Sequence, residues 1–275
     1  MPKCSVIIVT HNSHIYLAKA IHSLKNQTVS PTQIILVDSG SDDPSYLPQQ
    51  EDIDTLLLEE NVGFCRANNI GMQPIHPDSS YVLFMNPDAF LTPTFLEEAI
   101  HYMEDPNNQQ VGICSGILLG YDVHNDQPTG YYDSTGIYCS WYGRWFDRDQ
   151  GEKCQGNRYH QPEEPDALCG ALLFCRKKAL DDTLINDDQV FDETFYMYKE
   201  DIDLSLRMKK KGWKLSWLPK LIAYHCRGWQ RNRKKIPRKF RLLSAKNELR
   251  IHFRNHSPKT LYSLLKYLVV LVLDV

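Results

Sequence analysis

The sequence lacks the paired cysteines that are typical of disulfide scaffolds and zinc sites. Its 275 residues include eight cysteines, and no two of them form a C-x-x-C pair. Disulfide frameworks and structural zinc sites usually show such paired spacing. We therefore expect reduced thiols in a cytoplasmic protein, at Cys4, Cys65, Cys114, Cys139, Cys154, Cys169, Cys175 and Cys226.

The sequence also has no apolar run of bilayer-spanning length and no N-terminal targeting signal. The first residues, MPKCSVIIVTHN, lack the charged segment, long apolar stretch and cleavage site of a signal peptide. The apolar segment 261–273 is shorter than the about 20 residues that a transmembrane helix needs. This segment could form a packed terminal helix, a helix lying in a membrane interface, or the first part of a longer apolar segment.

What is present is an alternation of strand and helix patterns over the first 120 residues. Short, continuous runs rich in Val, Ile and Leu are typical of strands buried on both faces. Helix-length patterns lie between them, which predicts an α/β fold with a largely parallel sheet. Loops and short antiparallel strands are expected at 120–165, and a further strand run at 166–180. The predicted strands of the first part are 5–10, 33–39, 54–60, 81–87 and 111–119.

Polar residues follow three of these predicted strands. The segments are His11-Asn12-Ser13, then Asp38 to Asp43, then Asn86-Pro87-Asp88. Each one could be ordinary turn chemistry, since Asn, Asp, Ser, Gly and Pro favour turns. Ligands of open α/β sheets, however, bind beyond the carboxyl ends of the strands. Three such segments on one edge favour a shared binding site.

A second acidic group precedes a predicted helix. Ile202 and Leu206 would share one face of this helix, and Glu200 and Asp201 would lie in its first turn. Acids there can simply complement the helix dipole, by about 0.3–1 kcal/mol each. The acids at 192, 193, 200, 201 and 203, flanked by aromatic residues, are denser than that role requires.

Six segments together resemble a known family in order and spacing. They are SVIIVTHNS, ILVDSGSDD, NVGFCRANNIGM, LFMNPDAFL, CGALLFCRKKAL and VFDETFYMYKEDIDLSLRMKKKGWKLSWLPKLIAYH. The resemblance is to family 2 glycosyltransferases of the GT-A fold, in particular to the rhamnosyltransferase-like branch. It implies a mixed, mostly parallel sheet flanked by helices at 1–226, with a nucleotide-sugar half at 1–120 and an acceptor-binding, catalytic half at 121–226. A basic and apolar helical C-terminal extension, 227–275, would follow.

The resemblance assigns donor-binding roles to the first polar segments. Thr10 and Asn12 match positions that line the nucleotide pocket after the first strand. Asp38 matches the acid that contacts the base, with Asp42 in the same segment and Arg66 as the basic residue nearby. These assignments imply a nucleotide-sugar donor, such as dTDP-rhamnose or a UDP-sugar.

The resemblance also implies metal-binding and catalytic residues. Asn86-Pro87-Asp88 matches the D-x-D motif, in which the last acid, Asp88, binds Mg²⁺ or Mn²⁺. Asn86 replaces the first acid and could bond a ribose hydroxyl, and His225 matches a histidine facing the diphosphate or the metal. Glu200-Asp201 matches the motif whose aspartate is the catalytic base. The expected activity is inverting transfer of a sugar to a hydroxyl of a glycan or lipid-linked acceptor.

Two other classes of protein compete with a transferase. A binding protein of the same fold could hold a nucleotide-sugar or glycan without turnover, and the Asn86 replacement supports it. A nucleotidyltransferase would carry a glycine-rich, basic signature near the first strand, but VTHNSH has neither glycine nor Arg or Lys.

The densest basic run, residues 227–241, could be a solvated loop, a nucleic-acid patch or a membrane-facing patch. No nucleic-acid motif accompanies it, so we expect no nucleic-acid partner. We favour an anionic membrane surface as the partner of 227–275, with the apolar segment as a second contact. The protein would then lie peripherally on the inner face of the cytoplasmic membrane.

Overall fold

The computed structural model describes residues 2–156, 158–226 and 236–273. Each predicted strand of the first part forms a strand, and the region after it adds short antiparallel strands, as expected. The strands are β1 (Lys3–Thr10), β2 (Gln33–Ser39), β3 (Asp54–Leu58), β4 (Ser79–Met85), β5 (Ala89–Leu91), β6 (Val111–Asp122), β7 (Gln127–Ser134), β8 (Ile137–Cys139), β9 (Trp145–Asp147), β10 (Leu172–Arg176) and β11 (Lys214–His225).

The central sheet is mixed but mostly parallel. Its strand order is β3-β2-β1-β4-β10-β6-β11-β5, with β7 paired to β6. Strands β3, β2, β1 and β4 run parallel, β10 is antiparallel to its neighbours, and β11 is parallel to β6. This arrangement confirms the predicted α/β fold. Strands β8 and β9 form a separate antiparallel pair.

Helices flank the sheet because each buries one apolar face. In α1, for example, the residues that face the core recur every three or four positions, at Leu17, Ala20, Ile21 and Leu24. The helices are α1 (Leu17–Lys25), α2 (Phe64–Met72), α3 (Phe95–Glu104), α4 (Lys177–Asp182), α5 (Glu200–Lys210), α6 (Arg238–Arg254) and α7 (Thr260–Leu273).

The strand run predicted at 166–180 is wrong over most of its length. Only Leu172–Arg176 form a strand, and the chain continues directly as α4. Buried Ala179 and Leu180 give this segment an inward helical face, and Lys177 pairs with Asp181 one turn later at 2.6 Å. Four-residue spacing of opposite charges stabilises a helix and has no equivalent in a strand.

A close backbone approach between β6 and β11 fixes the centre of the sheet. Trp217 is fully buried and donates a hydrogen bond from its indole nitrogen to the Gly116 oxygen at 2.8 Å. A Cβ atom at Gly116 would lie 1.9 Å from the Leu221 carbonyl oxygen, so no other residue fits there without displacing the backbone. This pairing carries His225 to the sheet edge that forms the functional site.

The C-terminal helices pack on the rest of the fold, as the predicted helical extension requires. Glu248 of α6 is buried and pairs with Lys266 of α7 at 2.7 Å. His252 of α6 is also buried, and its Nε2 lies 2.7 Å from the Gly143 oxygen. Of the basic run, residues 227–235 lie outside the described part of the chain.

Two further expectations concern cysteines and membrane spans. All eight cysteines are free thiols, as their spacing predicts. Across the described ranges, no helix is both long enough and apolar enough to cross a membrane.

Candidate active site

The carboxyl ends of β1 and β4 open into a cleft with two adjoining cavities. We call them the Thr10 cavity, of about 650 Å³, and the Asp201 cavity, of about 540 Å³. The two share a wall formed by Phe64, Asn86, Asp88 and Met197. The cleft therefore lies at the edge of the sheet where the sequence predicts a binding site.

The Thr10 cavity is backed by a hydrogen-bond network that the parallel register creates. Thr10 pairs with Asp38 in the β1–β2 register. The Tyr46 hydroxyl lies 2.9 Å from Thr10 Oγ1 and donates to Asp38 Oδ1 at 3.2 Å. Ser41 donates to the same carboxylate from its amide, at 3.0 Å, and from its hydroxyl. Asp38 is thus buried with its acceptor oxygens already engaged.

Asn12 and Asp42 form the outer part of this network. The Asn12 side chain donates to Asp42 Oδ2 at 2.9 Å and accepts from the Asp42 amide at 2.9 Å. Asn12 has a φ of 52°, a left-handed conformation that asparagine tolerates better than most residues. Four members of this network are among the predicted site residues, whereas Ser41 and Tyr46 are not, because serine and tyrosine near a turn carry no distinguishing signal in the sequence.

Asn12, Asp38 and Asp42 are not among the residues that line the Thr10 cavity, and Arg66 lies outside both that cavity and the network around Asp38. Helix α2 turns Cys65, Ala67 and Asn68 toward the core. Arg66 therefore points outward, is exposed, and lines neither cavity.

Asp88 and His225 meet because β5 pairs with β11. Ala89 lies opposite His225 in that register, which places the preceding Asp88 beside the imidazole. His225 Nε2 lies 3.3 Å from Asp88 Oδ1, and its Nδ1 lies 2.8 Å from Asp133 Oδ2. Burial opposes the charged form of His225, but the two carboxylates outweigh it and raise its pKa to about 9. Asp133, on β7, was missed by the sequence analysis.

The Asp88–His225 pair fits a divalent cation. A metal-binding histidine usually bonds a carboxylate through its other ring nitrogen, as His225 does with Asp133. That bond leaves Nε2 directed at Asp88, so an oxygen and a nitrogen ligand would face one another once a cation replaces the Nε2 proton. Among the described residues no cluster of three or more metal-binding side chains occurs.

Glu200 and Asp201 begin α5 and line the Asp201 cavity. Asp201 is held in place by its backbone surroundings: Oδ2 accepts from the Gly170 amide at 2.9 Å, and Oδ1 from the Ile202 amide at 2.8 Å. A Cβ atom at Gly170 would lie 3.0 Å from the Asp201 Cβ, so glycine permits this approach.

The two carboxyls titrate differently because their partners differ. Burial, followed by the charge of Asp201, raises the pKa of Glu200 to about 8. Burial also raises the pKa of Asp201, but the Gly170 amide bond opposes that shift. Glu200 Oε2 is buried without a hydrogen-bond partner among the described residues. These interactions favour a proton on Glu200, whereas the two amide bonds favour the charged form of Asp201.

The same cavity contains polar residues that the sequence analysis did not identify. Asp147 and Gln150, from β9 and the turn after it, line the cavity together with Lys199. The charge of Asp147 contributes to the raised pKa of Asp201. An acid inside a loop-rich segment carries no distinguishing signal in the sequence.

The overall fold is that of GT-A glycosyltransferases. A crystal structure of GalNAc-T7 with UDP, GalNAc and Mn²⁺ matches with a TM-score of 0.68 and 16% sequence identity, covering 92% of this chain and 48% of that one. At this identity the match establishes the fold alone.

Residues 5–182, more than half of the chain, match glycosyl transferase family 2. The protein belongs to this family, as the sequence motifs indicate.

The matches to individual relatives have low sequence identity. Rhamnosyltransferase WbbL of Escherichia coli (strain K12) is 23% identical over 244 residues, which cover 80% of this chain and 82% of WbbL. The minor teichoic acid biosynthesis protein GgaB of Bacillus subtilis (strain 168) is 27% identical over 113 residues, or 38% of this chain and 12% of GgaB. Matches to other curated relatives span less than half of their length.

The raised pKa of Glu200 predicts a specific dependence of stability on pH. Between about pH 4.5, where the unfolded chain ionises this carboxyl, and about pH 8, the folded state keeps a proton that the unfolded state has lost. The free energy of unfolding should therefore fall as pH rises through this window. Glu200→Gln cannot ionise and should remove most of this decline, by a few kcal/mol.

Urea denaturation from pH 4.5 to 9 measures this effect, with Glu59→Gln, at an exposed glutamate, as the matched control. A pH profile of Glu200→Gln parallel to that of the wild type would contradict the assignment.

Proposed function

We propose that the protein is an inverting glycosyltransferase. It would move a sugar from a nucleotide-sugar to a hydroxyl of a cell-surface glycan or lipid-linked acceptor. The observation that carries this proposal is the Asp201 carboxylate, which two backbone amides orient into the cavity that Asp88 and His225 also line.

Asp201 is the proposed catalytic base. The acceptor hydroxyl attacks the anomeric carbon while Asp201 takes its proton. The bond from that carbon to the diphosphate oxygen breaks, and its electron pair leaves with the nucleoside diphosphate. One displacement by an attacker opposite the leaving group inverts the anomeric configuration. Protonated Glu200 can donate a hydrogen bond to a sugar hydroxyl. This bond would give a partner to Glu200 Oε2, which has none among the described residues.

Asp88 and His225 are the residues that would hold Mg²⁺ or Mn²⁺. A bound cation supplies charge neutralisation for the departing diphosphate. The described residues provide two facing ligands, and both cations commonly take their remaining ligands from phosphate oxygens and water. The crystal structure of GalNAc-T7, which contains UDP and Mn²⁺, supports this proposal.

The Thr10 cavity is the proposed nucleotide site. Thr10 lines it with a hydroxyl, and Asn86 on the shared wall can bond a ribose hydroxyl. Asn12, Asp38 and Asp42 adjoin Thr10 through the hydrogen-bond network, and a contact of Asp38 with the base would require it to exchange one of its present bonds. The relative named as a rhamnosyltransferase supports dTDP-rhamnose among the candidate donors, beside UDP-sugars. Arg66 has no part in the proposed site, because it points away from the cleft.

A glycan acceptor suits the Asp201 cavity. Tyr198 lines it and is 41% exposed, which provides an aromatic face for a sugar ring beside the polar groups of Asp147 and Gln150. The relative named for teichoic acid biosynthesis supports a cell-surface polymer as the acceptor class.

Helix α7 is the proposed membrane contact. Its outward face is apolar, with exposed residues at Leu261, Leu265, Leu268 and Val272, whereas buried Ser263 points inward. Val270 is also buried, but most of the apolar residues of α7 are exposed, which is typical of helices that lie in a membrane interface. Basic residues at the start of α6 would add attraction to anionic lipid.

The base assignment predicts the behaviour of Asp201→Asn. The side chain keeps its shape but cannot accept a proton, so kcat for nucleoside diphosphate release should fall by about 10²–10⁴. The KM for the donor should stay within about threefold, because the Thr10 cavity is unchanged.

The assay supplies a nucleotide-sugar and Mn²⁺ and follows release of the diphosphate, with exposed Asp181→Asn of α4 as the control. A near-normal rate in Asp201→Asn would contradict the assignment of Asp201 as the base. Donor binding without any turnover in the wild type would favour a binding protein.

The α7 proposal predicts binding to anionic vesicles. The wild type should co-sediment with phosphatidylglycerol vesicles. The double variant Leu265→Glu, Leu268→Glu should bind at least about tenfold more weakly, because insertion of α7 would then bury two charged carboxylates in the membrane. Leu57→Glu, at a leucine of β3 that is 63% exposed, is the matched control and should bind like the wild type. Equal binding of the double variant would contradict the proposal.

A further inference from the structure

The segment that leads into α5 has an unusual backbone. Tyr196 has φ 63° and ψ −61°, and the Met197 amide donates to the Phe195 oxygen at 2.7 Å. Together these describe a γ-turn of the rare, strained kind. Tyr198 and Lys199 follow with φ of 67° and 74°. Non-glycine residues in such conformations cost about 1–3 kcal/mol each and persist only where their surroundings impose them.

One buried side chain of α6 holds this strained turn. The Asn247 amide nitrogen donates to the oxygens of Phe195, Met197 and Tyr198, at 3.0, 3.0 and 2.9 Å. Asn247 is fully buried. Three carbonyl groups therefore converge on the two N–H groups of one buried side-chain amide.

Other contacts hold the turn at its two sides. Arg250 of α6 donates to the Thr194 oxygen at 2.5 Å, and Arg254 pairs with Asp192. On the α2 side, the Cys65 amide donates to the Tyr196 oxygen at 3.1 Å. From α6, the Asn247 bonds reach the strained residue Tyr198 and the carbonyls of Phe195 and Met197, on the two sides of Tyr196.

We propose that Asn247 is a positioning residue for the reaction. By fixing the carbonyls of residues 195–198, it sets where α5 begins and so where the carboxyls of Glu200 and Asp201 lie. Helix α6 is then part of the active site, as the presence of Ser244 in the Asp201 cavity and of Phe240 in the Thr10 cavity also indicates. The inference rests on the proposed function and adds a residue from the C-terminal segment to it.

Asn247→Asp tests the inference directly. The substitution keeps the shape but replaces the donating nitrogen with an oxygen that faces three carbonyls. Asn247→Ser is a milder variant that keeps a single hydroxyl donor. Glu248→Gln is the matched control, because Glu248 is the next residue of α6, equally buried, and bonded to Lys266 rather than to the turn.

Two measurements on the full chain separate positioning from a general loss of stability. The first is hydrogen exchange of the peptide covering 195–203, without any ligand. We expect exchange to be faster by at least about tenfold in Asn247→Asp, intermediate in Asn247→Ser, and unchanged in Glu248→Gln even if its Tm falls.

The second measurement is release of nucleoside diphosphate from the donor in the presence of Mn²⁺. We expect kcat to fall at least about tenfold in Asn247→Asp with a donor KM within about threefold, because misplaced catalytic groups slow the reaction without weakening nucleotide binding. Asn247→Ser should recover part of kcat, and Glu248→Gln should match the wild type.

Wild-type exchange in both Asn247 variants would overturn the inference. Faster exchange with unchanged kcat, or an equal loss of kcat in Glu248→Gln, would overturn the positioning role. A wild type that releases no diphosphate from any donor would instead contradict the proposed function, and the catalytic part of the inference with it.

Discussion

The cleft depends on a backbone conformation that ordinary residues avoid. Residues 196–199 enter α5 through a strained γ-turn and a left-handed residue, and this path delivers two acids to the first turn of the helix. Hydrogen bonds from two amide groups stabilise this conformation. One group is the buried side-chain amide of Asn247 on α6, and the other is the backbone amide of Cys65 on α2. Hydrogen bonds therefore join α6 and α2 to the segment that positions Glu200 and Asp201.

The two sides of the cleft differ in their electrostatics, because one favours a charged histidine and the other a protonated acid. At one side, the carboxylates of Asp88 and Asp133 favour the charged form of His225, and a divalent cation would take the place of its Nε2 proton. At the other side, burial keeps a proton on Glu200 while amide bonds favour an ionised Asp201. Neighbouring acids with separated pKa values are typical of sites where one group accepts a proton and the other donates a hydrogen bond.

Strands and the residues that follow them are predictable from local sequence patterns, whereas contacts between residues far apart in the sequence are not. Buried strands are recognisable in the sequence as continuous apolar runs. The parallel topology then places residues at or just beyond their carboxyl ends, such as Thr10 and Asp88, at the same edge of the sheet. Asp133 lies 92 positions from His225, and Asn247 lies 52 positions from the carbonyl of Phe195. No periodicity links such pairs. Arg66 matches the predicted site in sequence, but the orientation of α2 directs its side chain away from the cleft.

The most direct test of the central claim is a donor screen with the wild-type protein. Release of nucleoside diphosphate would be followed for UDP-glucose, UDP-GlcNAc, GDP-mannose and dTDP-rhamnose, each with Mn²⁺ or with a chelator. The proposed site predicts slow, saturable release from one donor class, greatly reduced by the chelator. Absence of release and of thermal stabilisation with every donor, in the presence of the metal, would contradict a nucleotide-sugar site in this cleft.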